Sequence, residues 1–475
     1  MSENRPRNWL KISCIGCVGL PCLSLMLGVG IVKCQVEKIG DQLPIELAKL
    51  KAMGVGTEPA DLKPNPPIPD GENAATLYKK IFEAPKKISS QSKSTDGFIL
   101  ANYTGHPTDT AAYETALARY KPVFDLAAGL PKYRKYSPDR EYEDGFDLLF
   151  PEFADMKDLV KKEGARIRYL IQKGRRAEAV SALEVQFSVA DHLAQEQTLI
   201  GALVCIAIHA IASVNLDVVL EDIQDNETLL ARVEDMLNRH GRIPGFRHVM
   251  EGEAILGRVS LGKINSAEDA QAVLYAGTKP TNWEQLVDRV TLGDPSFRRM
   301  FEAKHVEAYR RLFQMLPKDE RNWVAMDNAM KKFAQGLEAD SSIGNRMNQI
   351  LFPVFDQAAA AFGKMQAEHQ VALLAVKLLR ARPRGLPQDL TRFGKLATDP
   401  FTGMPMGYIR RGDGFKVWSV GGDLHDDGGR KRGPGMSYND ADIVFGYRIG
   451  LPFTPPKPLG VPPGSPGAAP GVLGR

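Results

Sequence analysis

Residues Ile12–Val32 read ISCIGCVGLPCLSLMLGVGIV and carry no charge from end to end. About 20 apolar residues in a helix cross the hydrocarbon core of a bilayer, so this run is long enough to span once. Arg5, Arg7 and Lys11 precede it, which favours a cytoplasmic N-terminus. Lys33 and Lys38 follow and weaken that bias. Residues 1–35 are therefore expected to form a cytoplasmic tip and an uncleaved anchor in membrane lipid. The rest of the chain is expected on the periplasmic, extracytoplasmic side. A signal peptide would have an apolar region of roughly 7–15 residues and a small-x-small cleavage site. Gly28-Val29-Gly30 is the one weak match. A lipoprotein cysteine would follow a small residue, but Cys22 follows Pro21 and Cys34 follows Lys33.

The cysteines agree with that reading. Four of the five lie in or beside the apolar run, and only Cys205 lies in the body, which therefore forms no internal disulfide. The spacing of Cys14 and Cys17 suits a redox or zinc motif. Inside hydrocarbon the same thiols act as small apolar residues.

The remaining chain has ordinary globular composition. Of 475 residues 25% are charged and 43% hydrophobic, enough for two or three domains. A net charge of +4 is too weak to argue for nucleic acid. Arg430-Lys431-Arg432 is short, flanked by glycines, and reads as a solvated loop.

Residues 36–72 read as a juxtamembrane helix ending at Gly54-Val55-Gly56, then a spacer with prolines at 59, 64, 66, 67 and 69. Such a stretch is extended and stiff, and is expected to hold the body off the membrane. Asn73 caps a helix that opens Ala74-Ala75-Thr76-Leu77-Tyr78. From there to residue 395 apolar residues recur at steps of three and four, as in Ile167, Leu170 and Ile171 or Leu183, Phe187 and Ala190. Breaks at Gly174, Asn226, Gly241–Pro244 and Pro317 predict antiparallel helices joined by short loops. The run Leu199–Leu216 is apolar nearly all round. It is expected to be the central helix of the body rather than a second span, with His209 a core histidine.

Several local patterns suggest chemistry without completing it. The acids Asp139, Glu141, Glu143, Asp144 and Asp147 suit a helix N-terminus better than a catalytic pair. Gly257 to Lys263 matches most of a P-loop, but Ile264 stands where Ser or Thr should hold magnesium, and a helical run precedes it where a strand is required. Glu302-x-x-His305 is half of a di-iron site, and the flanking FRRMFEAKHVEAYRRLF reads as a solvated face.

The character changes after residue 395. Met406–Arg411 and Phe415–Val420 read as strands of a hairpin turning at Gly412-Asp413-Gly414, and Ile443-Val444-Phe445 as a last strand. The glycine-rich loop between them carries Asp423, Asp426, Asp427, Asp440 and Asp442. Crowded aspartates with backbone carbonyls in a flexible loop suit calcium, although the EF-hand register is missing. Their alternative use is turn chemistry on a polar surface. Residues 451–475, rich in proline, glycine and alanine, cannot bury a core.

The segment DPFTGMPMGYIRRGDGFKVWSVGGDLHDDGG, with NDADIVF after it, resembles the C-terminal calcium-binding segment of the major pseudopilin of type II secretion systems. The resemblance covers about a tenth of the chain. It implies Ca2+ held by Asp423, the Val420 carbonyl and either Asp440 or Asp442, with Asp427 an added candidate because this loop is longer. Pseudopilins carry a glutamate near the start of their apolar helix, and Ile12–Val32 has none, so pilus assembly is not implied. The fuller likeness is to uncharacterised single-pass envelope proteins of planctomycete-type bacteria. They share the order of anchor, proline-rich spacer, Asn-Ala-Ala-x-x-Tyr helix start, helical body and C-terminal cap, and imply no activity.

The expected fold is mostly α: an N-terminal transmembrane helix, an antiparallel multi-helix body over 73–395 and a small C-terminal antiparallel β unit over 396–450. The expected function is a membrane-anchored envelope protein whose body binds an envelope protein partner. Two alternatives stand beside it. One is an envelope hydrolase joining Glu or Asp to His240, His248 or His305 without a linear motif. The other is a secretion or pilus accessory protein.

Overall fold

Asn73 sets the start of the body by capping. Its side-chain oxygen accepts the Ala75 N–H at 3.1 Å, and its amide donates to the Ser137 carbonyl at 2.8 Å. One residue thus begins a helix and pins it to a segment sixty residues on. The computed structural model describes residues 31, 33–87, 90–102, 110–264, 295–340, 342–430 and 442–447. The expected anchor Ile12–Val32, apart from Ile31, lies outside them, as do Asp440, Lys431-Arg432 and the tail.

The helices are α1 (33–40), α2 (Leu43–Ala52), α3 (Ala74–Glu83), α4 (Ser90–Asn102), α5 (Thr110–Ala127), α6 (Pro151–Gln172), α7 (Arg176–Leu193) and α8 (Leu199–Ile223). They continue with α9 (Glu227–Arg239), α10 (Phe246–Gly262), α11 (Pro295–Met315), α12 (Trp323–Glu338) and α13 (Arg346–Ala381). Short connections join α6 to α9 in turn. Gly174, at φ +69°, makes the tight link between α6 and α7. Thr198 and Asn226 cap α8 and α9 by accepting the Gly201 and Leu229 N–H groups. α6, α7 and α8 pack on one another, and the 36-residue α13 packs along α8, α9 and α12. At about 1.5 Å per residue α13 is roughly 54 Å long, the spine of the molecule.

The C-terminal unit is a three-stranded antiparallel sheet in the order β1 (Gly407–Arg411), β2 (Gly414–Ser419), β3 (Ile443–Tyr447). Tyr408 pairs with Val417, and Trp418 with Val444. Gly412, at φ +61°, allows the hairpin turn that the Gly-Asp-Gly run predicts. β2 and β3 pack on α13, with Phe415 and Val417 fully buried. Tyr447 donates its hydroxyl to Asp217 of α8 at 3.0 Å, tying the sheet to the helical body.

The expected fold needs one correction. Among the described residues the helix long and apolar enough to cross a membrane is α8, in mid-chain and not at the N-terminus. Half of its most apolar stretch is buried in the body. Its first turns expose Ile200 and Leu203, whereas His209, Ser213 and Asn215 face inward. Asn215 donates to Gln186 at 3.2 Å, a polar contact between α8 and α7.

Two further expectations fare differently from how they were drawn. Residues 36–72 do not stand off the body. Glu46 of α2 pairs with Arg310 of α11, Arg258 of α10 donates to the Thr57 carbonyl, and Leu62 packs with Tyr142, Ile255 and Leu256. The α11 sequence is not a solvated face either. Phe297, Met300, Phe301, Glu302, His305, Val306 and Tyr309 are buried, because its apolar residues recur at helical spacing between the arginines.

Candidate functional site

The acidic loop comes first. Asp442 is buried, with one carboxylate oxygen facing the Asp427 N–H at 3.4 Å. The other accepts from Gly429 at 2.7 Å and Arg430 at 3.3 Å. Burial pushes its carboxyl above the usual range, and these amides pull it back. Asp423 is exposed and accepts the His425 N–H at 3.1 Å, an Asx turn. Asp427 is half-buried, and Val420 turns its N–H toward Asp399 at 2.9 Å. Among the described residues no group of three or more His, Cys, Asp or Glu side chains converges as metal ligands. Backbone amides thus reach both carboxylate oxygens of Asp442, and Asp440, the other carboxylate implied for calcium, lies outside the described residues. Asp442→Ala leaves up to three N–H groups without their acceptor and is expected to cost about 1–3 kcal/mol. The cost should be the same in excess calcium and in chelator, as read by melting temperature. A wild-type midpoint that rises several degrees with calcium would support the metal reading.

A denser polar centre lies inside the helical body. His192 at the end of α7 donates from Nε2 to the Tyr133 carbonyl at 3.0 Å, so its Nδ1 accepts the Tyr78 hydroxyl at 2.9 Å. Burial lowers this imidazole to about 4, which keeps it neutral. His369 on α13 bonds the Leu237 carbonyl and is lowered by burial to about 3. Its ring lies 5.9 Å from that of His209, whose Nδ1 is 3.6 Å from Glu368.

His240 differs from these. It ends α9, is 2% exposed, and neither ring nitrogen has a hydrogen-bond partner. Its Nε2 is 3.8 Å from Glu184 and its Nδ1 is 4.0 Å from Asp191, both on α7. The imidazole, and then Arg239 at 2.6 Å, hold the Glu184 carboxyl down at about 2 against the effect of burial.

Other buried ionisable groups are structural in their contacts. Arg140 bridges Glu196 at 2.7 Å and Glu152 at 2.6 Å, and stacks on Phe150 and Phe153. Glu253 on α10 accepts the Leu199 N–H at 2.7 Å, and burial raises its carboxyl to about 7. Glu163, raised by burial to about 7, pairs with Arg166 at 3.1 Å. His305 donates to the Ala254 carbonyl at 3.1 Å and is lowered by burial to about 4.

Of the histidines named from the sequence, His240 meets two carboxylates, His305 lies in a separate cluster, and His248 is half-exposed. The acids of 139–147 lie around a 3-10 turn, Tyr142–Asp147, against α10. The P-loop-like run lies in the continuous helix α10, which ends at Gly262, and not in a loop after a strand. Sequence reading missed Glu184, Asp191, His192 and His369. Their one signal was polar residues at inward phase in otherwise apolar helices, as in Gln186, Ser188, Asp191 and His192 of α7.

No protein-family model, curated protein or solved structure matches this chain.

Proposed function

We propose that the chain is a membrane-associated envelope protein whose helical body holds a fixed surface toward a protein partner outside the cytoplasm. Lipid association rests on one observation, the span-length apolar helix α8 with Ile200 and Leu203 exposed at its start. A rigid body suits an interaction role. Buried polar groups on α6, α7 and α8 bond one another across helices, as Gln186 does with the Val160 carbonyl and Asn215 with Gln186. Such networks fix helix register.

The test is fractionation of cells making the full chain. Retention in membranes through an alkaline carbonate wash is expected, and release into the supernatant sinks the reading. Protease added to intact spheroplasts should digest the body. A protected body would put it in the cytoplasm.

A further inference from the structure

We propose that His240 is a proton-operated latch that fastens the end of α9 to α7. Four observations place it there. The ring is enclosed, both nitrogens are unbonded, a carboxylate faces each of them at 3.8 and 4.0 Å, and the residue ends a helix. Of the other buried histidines in the body, His192, His305 and His369 each bond a backbone carbonyl, and His209 faces the Ser213 hydroxyl at 3.4 Å. A neutral imidazole has one N–H and one lone pair. It can donate to Glu184 or to Asp191, and its lone pair then faces the other carboxylate. An imidazolium donates to both, after each gap closes by about 1 Å to hydrogen-bond length. The negative end of the α9 dipole favours the same form.

The surrounding charges are mixed. From α7 come Glu184, Asp191 and the neutral His192. From α9 and its exit come Arg232, Arg239 and Arg242, and from the 133–136 segment Arg134. From α13 comes the neutral His369, which abuts Gly241. Arg239 is engaged by Glu184 and Asp235, and Arg232 by Glu184 and the Ser181 hydroxyl. Asp191 accepts the Arg242 N–H at 3.1 Å. The proton on His240 therefore sets how tightly residues 240–245, the link from α9 to α10, are held on α7 beyond the bond from Arg242 to Asp191. Loss of the proton loosens the link, and uptake tightens it.

Hydrogen exchange of the full chain, read by mass spectrometry on peptides spanning 236–246 and corrected for the intrinsic pH dependence of exchange, tests this. Protection of the link should fall about tenfold between pH 6 and pH 8.5, the loss of one charge-assisted bond. In His240→Gln, which like neutral histidine offers one donor and one acceptor, protection should be low and independent of pH. Asp191→Asn, which keeps an acceptor for Arg242, should weaken the dependence without loosening the fold. Wild-type protection that is flat over this range, or a His240→Gln protein that keeps the full dependence, overturns the latch.

Discussion

Gly252→Ala is expected to destabilise the protein by about 3 kcal/mol or more, the upper range for an overpacked interior. A Cβ at this position would lie 1.6 Å from the Gln197 carbonyl oxygen and 2.7 Å from its carbon. Both are backbone atoms, so no rotamer change relieves the clash. The segment that must move carries Thr198, the cap of α8, and the Leu199 N–H bonded to Glu253. Shifting it would strain the seating of α8 against α10. Helix propensity alone predicts the opposite sign, since alanine for glycine inside a helix gains about 0.5–1 kcal/mol. Gly262→Ala is the control on the same helix. Its Cβ would meet nothing closer than Glu302 at 3.8 Å, so that change should be neutral or mildly stabilising. Urea unfolding midpoints of the two variants decide it, and a Gly252→Ala protein as stable as the wild type would contradict the close crossing of α10 over residue 197.

That glycine shows where sequence reading reached its limit. Gly257, Gly262 and Lys263 match most of a P-loop, a pattern that invites a functional gloss. In the fold Gly257 is small because the His305 ring lies 2.4 Å from where its Cβ would be. Local signals were legible wherever one residue and its near neighbours fix the outcome. Asn73 capping α3, the Gly-Asp-Gly hairpin and the period of α6 and α7 are of that kind. The polar centre was not legible, because it joins residues 184, 191, 240 and 369, which only tertiary packing brings near one another. Glu302 and His305 were misplaced on a solvated face because the arginines of α11 masked its buried stripe. α8 is ambiguous by composition alone, since a core helix and a membrane span satisfy the same length and hydropathy.

The second large effect is on stability against pH. His192, His305 and His369 are lowered by burial to about 4, 4 and 3. Between those values and the ordinary histidine value near 6.5, the unfolded chain binds protons that the folded chain refuses. Their contribution to stability is present above about pH 6.5 and is lost as pH falls, about 2–3 kcal/mol each by pH 4.5. Glu163 and Glu253 act in the other direction. Burial raises both to about 7, so the folded chain holds protons that the unfolded chain releases above about 4.5. Their contribution is present at low pH and is lost as pH rises through 7. Between about pH 4.5 and 6.5 the three histidines and two carboxyls oppose one another and leave a net gain in stability, worth one proton, as pH rises. Between about 6.5 and 7 the carboxyls alone act and stability falls, and above 7 neither set adds a further change. The urea midpoint should therefore peak near pH 6.5, fall gently down to about pH 4.5 and steeply below it, and fall over a short interval to a plateau above about pH 7. Glu253→Gln separates the two arms. The amide can still accept the Leu199 N–H but cannot ionise, so the loss between about pH 6.5 and 7 should shrink and the loss on acidification from about 6.5 to 4.5 should steepen. A stability profile that is flat from pH 5 to pH 8 in the wild type would mean that these groups are not held in the protonation states their burial imposes.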